Sequence, residues 1–170
     1  MSRGAALLLA GVWLGLLVAS WVAATATFGG VDRVLGPEIR PELSVRLAPL
    51  TADDRRLVLR NLASEANRWM FQRLGLAQLA LAVAFLAAAW PASRGTRIVA
   101  LAIGAIALAQ AGLAPAIESL GRSIDFVARP LPPDLGRRFG VLHGAFVLLD
   151  LAKAGLLCLA GHLLTRLPLK

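Results

Sequence analysis

Cysteine is almost missing from this chain. Cys158 stands alone, which excludes an intramolecular disulfide and any cysteine metal cluster. Tyrosine is absent, aromatic residues reach only 6%, and methionine and histidine occur twice each. Two methionines and one thiol give soft-metal chemistry almost nothing to work with, so copper handling is not expected. Charge is scarce too: 16% of residues, against about 25% in a soluble domain. No phosphate-cradling glycine loop, zinc spacing or nucleophile with an adjacent base occurs, so an enzyme is not expected. What fills the space is apolar: 58% of 170 residues, with mean hydropathy +0.70. A water-soluble fold would lack the polar surface to cover itself.

Four apolar runs follow, each near the ~20 residues a helix needs to span a bilayer. The first, Ala5 to Phe28, carries no charge. At 24 residues it exceeds the ~7–15 of a signal-peptide core, so it reads as a retained helix despite Ala24-Thr25-Ala26, which imitates a cleavage site. The second runs from Leu74 to Trp90. Trp69 and Trp90, 21 residues apart, lie about 31 Å apart along a helix, the hydrocarbon thickness, so the indoles fit opposite interfacial belts. Pro91 to Arg97 makes a tight connection, so spans two and three are antiparallel neighbours. The third run, Ile98 to about Ile117, contains Pro115, expected to kink or end it. The fourth, about Phe139 to Leu164, carries Gly140, Gly144, Ala152, Gly155, Ala160 and Gly161. These, like Gly11 and Gly15, are expected to serve close helix packing. No inverted repeat is evident.

The segment 29–73 is the one sizeable extramembrane part. Pro37, Pro41 and Pro49 predict an irregular first half. Thr51, with Asp54 three residues on, predicts a helix start. Val58, Leu62, Ala66, Trp69 and Met70 then recur at helical spacing opposite Arg56, Arg60 and Asn67. That is an amphipathic helix, lying on the membrane or running into span two. Residues 121–138, with Pro130, Pro132 and Pro133, are expected to form a stiff exposed connection.

The net charge is +8 and the pI about 11.5, which in a soluble domain would suggest nucleic acid. Here seventeen of the eighteen basic residues lie in or beside the polar segments, where they read as lipid-headgroup anchors and topology signals. Nucleic acid is not an expected partner. The side with the termini carries Arg3, Arg94, Arg97, Arg166 and Lys170 with no acid; the other carries twelve basic residues among nine acids. Raw number favours the long loops in the cytoplasm. Acid-free density favours the termini there, and that is the orientation expected.

Ionisable groups at membrane depth are costly, so each is a functional suspect. Asp150 and Lys153 lie three apart on span four, where carboxylate and ammonium can meet. His143 lies seven residues before Asp150, nearly on the same face. Gln110 and Gln78 are placed to face them from spans three and two. This cluster suits either a packing ion pair or a proton or substrate path. His143 and His162, 19 residues apart or about 28 Å, cannot ligate one haem iron. No cofactor or metal is expected. Before span two, Glu65, Asn67 and Arg68 form an interfacial cluster, read either as a solvated ion pair or as a cap above the Asp150 group.

Several of these pieces belong together: Gly11-Val-Trp-Leu-Gly15 running to Phe28, Glu65-Ala-Asn67-Arg68-Trp-Met-Phe71 with Gln78, Leu113-Ala-Pro115-Ala-Ile117, and Phe139-Gly-Val-Leu-His143-Gly144. The chain thereby resembles the bacterial domain-of-unknown-function family 4149, relatives of transmembrane protein 205. The resemblance spans most of the chain and implies a four-span membrane protein without an established biochemical activity. Its matching positions are Asn67, Arg68, Gln78, Pro115 and His143; Asp150 and Lys153 fall outside it.

The sequence thus predicts an all-α, four-span bundle forming a single membrane domain, multi-pass in a bacterial inner membrane, with an amphipathic helix between spans one and two. The expected role is a non-enzymatic structural or interaction component. Its partners would be the lipid bilayer and a second copy or another membrane subunit. The alternative is a small transporter or proton-coupled permease using His143, Asp150 and Lys153.

Overall fold

The computed structural model describes residues 3–37, 39–127 and 130–166. Glu38, Arg129 and Lys170, counted in the charge balance, lie outside them. Among the described residues five helices follow in order: α1 (Arg3–Val34), α2 (Pro41–Leu47), α3 (Ala52–Ala89), α4 (Arg94–Ile124) and α5 (Pro133–Thr165). All but α2 are long and apolar enough to cross a membrane.

The four long helices form a square. Each packs on two neighbours: α1 on α3 and α5, and α4 on α3 and α5. Every adjacent pair is antiparallel. Arg3 at the start of α1 donates to the carbonyl of Thr165 at the end of α5 (2.7 Å), while Asn67 early in α3 reaches the carbonyl of Ala24 late in α1.

Burial follows helical spacing. In α1 the inward residues are Ala6, Ala10, Trp13, Leu17 and Ser20; in α5 they are Asp150, Lys153, Leu157, Ala160 and Leu164. Three- and four-residue steps keep one face turned inward. Lipid tails are as apolar as these side chains, so packing and polar contacts, not water exclusion, hold such helices together. Trp13 is the largest fully buried side chain. It meets Phe85 edge-on, centroids 6.5 Å apart at 79°. Trp13→Ala is expected to cost about 3–5 kcal/mol, the usual loss for a buried aromatic. An SDS titration in mixed micelles checks this, and an unchanged midpoint would refute it.

Several boundaries differ from those the sequence predicts. The amphipathic segment takes the second of its two expected forms and runs into span two. It is the first part of α3, whose 38 residues extend about 57 Å, well beyond a bilayer core. Thr51 caps it as expected, its hydroxyl accepting from the Asp54 amide at 3.1 Å. The proline-rich stretch before it holds α2, because Pro41 occupies the first turn, where its missing N–H costs nothing. Pro115 does not end α4, which continues to Ile124. It faces outward, and membrane helices tolerate the lost hydrogen bond when local adjustments re-satisfy the backbone. The connection to α5 is correspondingly shorter, and α5 begins at Pro133 instead of Phe139.

The glycines also depart from expectation. A Cβ added at Gly11, Gly15, Gly104, Gly112, Gly140, Gly144, Gly155 or Gly161 would meet nothing within 4 Å. Of the small residues singled out on span four, Ala160 packs in the core while these glycines do not line a helix contact. The close approach within the bundle is at Gly121, where a Cβ would sit 3.4 Å from the Arg68 guanidinium.

Candidate functional site: a buried ionic network across four helices

Lys153 projects from the inward face of α5 and is fully buried. Its ammonium has three N–H donors. One meets Asp150 Oδ1 at 3.0 Å, one turn back on the same helix. The others go to Gln78 Oε1 on α3 and Gln110 Oε1 on α4. Gln110 Nε2 in turn donates to Asp150 Oδ1 at 2.8 Å and to the carbonyl of Phe146 at 3.2 Å.

Two indoles from α1 complete the set. Trp21 Nε1 donates to Asp150 Oδ2 at 3.2 Å, and Trp13 Nε1 to Gln78 Oε1 at 3.4 Å. Every long helix therefore contributes. Gln78 lies nine residues past Trp69 and twelve before Trp90, or about 14 and 18 Å. The network thus sits near the middle of the span. Asp150 is 3% and Gln110 4% exposed. An unpaired charge at such a place is expensive, so neutralisation and full hydrogen bonding are what allow it there.

The structure joins Gln78, Gln110, Asp150 and Lys153 as expected, but it leaves out His143. That ring is exposed on α5 and stacks on Phe139 at 5.7 Å, planes 7° apart. The reason is angular. Lys153, Leu157, Ala160 and Leu164 define the inward stripe, and Asp150 lies at its edge. Seven residues fall about 20° short of two full turns, which carries His143 further off that edge. His162 is exposed near the end of the same helix. Among the described residues, no group of three or more His, Cys, Asp or Glu is placed to hold a metal ion.

The interfacial cluster is a second network, some ten residues up α3 from Gln78. Arg68 Nη1 pairs with Glu65 at 2.7 Å, as the spacing predicts, and its Nη2 donates to both carboxylate oxygens of Asp125, the residue just past α4, at 2.7 and 2.6 Å. Arg122 bridges Glu65 at 2.7 Å and Glu118 at 3.0 Å, and Gln72 donates to Glu118 at 2.9 Å. This ties the start of α3 to the end of α4. Asn67 turns the other way, toward α1.

Sequence reasoning missed Trp13, Trp21, Gln72, Glu118, Arg122 and Asp125. The tryptophans carried a signal: both lie inside a charge-free run, and a buried indole N–H needs an acceptor. Glu118 and Arg122 carried the i,i+4 spacing of an ion pair within one helix, but their links to Gln72 and Glu65, and that of Asp125 to Arg68, carried none because those partners are on another helix. Two surface depressions, one lined by Glu42, Val45, Arg46 and Pro49, the other by Leu35, Ala52, Asp53, Arg55 and Arg56, lie away from both networks.

Fold and site together define a class of protein: an all-helical bundle of four membrane-crossing helices, locked at mid-depth by one ionic network. No family model, curated protein or solved structure matches the chain.

Proposed function

We propose that this chain is a non-enzymatic structural or interaction component of a bacterial inner membrane, with its termini on the cytoplasmic side. The observation that carries this reading is the saturation of Lys153. Its three donors meet three acceptors of the same chain, and Asp150 accepts on both oxygens. A substrate would have to break the network to bind it. The glycines of α1 and α5 support assembly with a second copy or another subunit, since they have open space around them and small residues favour close helix approach. The resemblance to family 4149 belongs to the same reading and implies the same four-span architecture.

Native mass spectrometry of the detergent-released protein tests it. A homo-oligomer, or a complex with another membrane subunit, is the expected result. A discrete non-lipid mass that disappears in Asp150→Asn would instead favour transport through the bundle. A bare monomer would sink the assembly role.

A further inference from the structure

The interfacial carboxylates near the start of span two are committed to cations other than Arg73. Glu65 pairs with Arg68 and Arg122, Glu118 with Arg122, and Asp125 with Arg68. Arg73 stands among them without a carboxylate: none of the described ion pairs includes it. Its guanidinium lies over the Trp69 ring, 5.6 Å from the centroid, and both side chains face outward. A cation held over an aromatic ring by its quadrupole uses none of its N–H groups as hydrogen-bond donors to a carboxylate, so those of Arg73 stay available for an oxyanion.

Depth adds a constraint. Arg73 is four residues nearer the membrane centre than Trp69, about 6 Å along α3. Indoles anchor at headgroup level, so an arginine one turn deeper, drawn back over the ring, sits where lipid phosphates lie. Below it, Ala77, Ala80 and Ala87 follow on the same face, all exposed. Beside them rise the exposed Leu76 and Val83. The alanines do not recognise anything; they leave room for an acyl chain to lie along the helix.

We infer that Arg73, stacked on Trp69, binds the phosphate of an anionic phospholipid on the outer face of α3. The counter-charge this guanidinium lacks within the chain comes from the lipid. This rests on the chain being a membrane protein and goes beyond its proposed structural role.

The test uses the full-length protein in a neutral maltoside detergent, titrated with phosphatidylglycerol or phosphatidylcholine of identical chains and read by native mass spectrometry. Phosphatidylglycerol is expected to remain bound in preference to phosphatidylcholine. Arg73→Gln should lower its affinity about tenfold, the order of a charge-assisted hydrogen bond. Arg73→Lys, which keeps charge but loses the planar fork, should fall between. Arg137→Gln, removing an exposed arginine at the start of α5, should leave binding unchanged.

Equal losses in the Arg73 and Arg137 variants would mean diffuse attraction and overturn the site. So would equal retention of the two lipids, or undiminished binding by a folded Arg73→Gln protein. Displacement of the lipid by millimolar sodium phosphate would reassign the site to a soluble anion. Carbonate extraction of membranes keeps the underlying reading separate: if the chain is released with peripheral proteins, the membrane assignment fails first.

Discussion

Lys153→Met is expected to destabilise the bundle by about 3–5 kcal/mol, the cost of leaving a buried charge without its partner. The substitution keeps most of the side-chain volume, so the loss reports charge and hydrogen bonding instead of a cavity. Asp150 would be left with Gln110 and Trp21 as donors, and the Oε1 atoms of Gln78 and Gln110 would lose the ammonium they share. Asp150→Asn strands the ammonium in the opposite sense. Combining Asp150→Asn with Lys153→Met removes both charges, and the double variant is expected to lose clearly less than the sum of the singles. SDS titration in mixed micelles gives the three midpoints, and the double-mutant cycle isolates the pair. Strict additivity would mean the two charges do not stabilise one another. If both single variants insert at normal amount and stability and also leave the phenotype unchanged, neither the packing role nor the transport role of the pair survives.

Arg68→Gln is the second large effect, expected at about 3 kcal/mol, the lower end of a broken buried pair. Asp125 has a side chain only 9% exposed and receives two short hydrogen bonds from this guanidinium. Removing the guanidinium strands that carboxylate at the junction of α3 and α4 and frees Glu65 as well. Arg68→Lys should recover only part of the loss, because a single ammonium cannot serve Glu65 and Asp125 from two separate nitrogens as Nη1 and Nη2 do. Adding Asp125→Asn to Arg68→Gln should recover more, since no buried charge then remains. The same titration checks all three. Full recovery by lysine would show that charge alone, not the fork, holds the two helices.

Arg122 offers a contrast on the same face. Its side chain is 52% exposed, and its partners Glu65 and Glu118 are 43% and 28% exposed. Pairs this wet contribute little, so the clasp depends on Arg68 and Asp125.

Much of the architecture was legible because it follows from local patterns. Four runs of the right length, the Thr51 cap before Asp54, and the Pro91 stop each rest on residues close in the chain. Gln78, Gln110, Asp150 and Lys153 were legible for a different reason: a polar group inside an apolar run must find a partner, whatever the fold. The cap appears as expected, and the four polar side chains meet. The continuous α3 was only half legible, since an amphipathic stretch leading into an apolar one reads equally as two helices or one.

The sequence by itself determined the class of protein, the number of spans and which polar residues needed one another. Hydropathy and helical period are properties of each segment alone. Tertiary structure decided the rest: that Trp13 and Trp21 of α1 supply the last donors, that Asp125 answers Arg68, and that the open glycines leave the helix contacts to larger side chains. It also decided that His143 stays outside. A helical period says which residues share a face. Only the arrangement of four helices around a common centre says which face turns inward, and a residue 20° beyond the edge of that face is lost to the site.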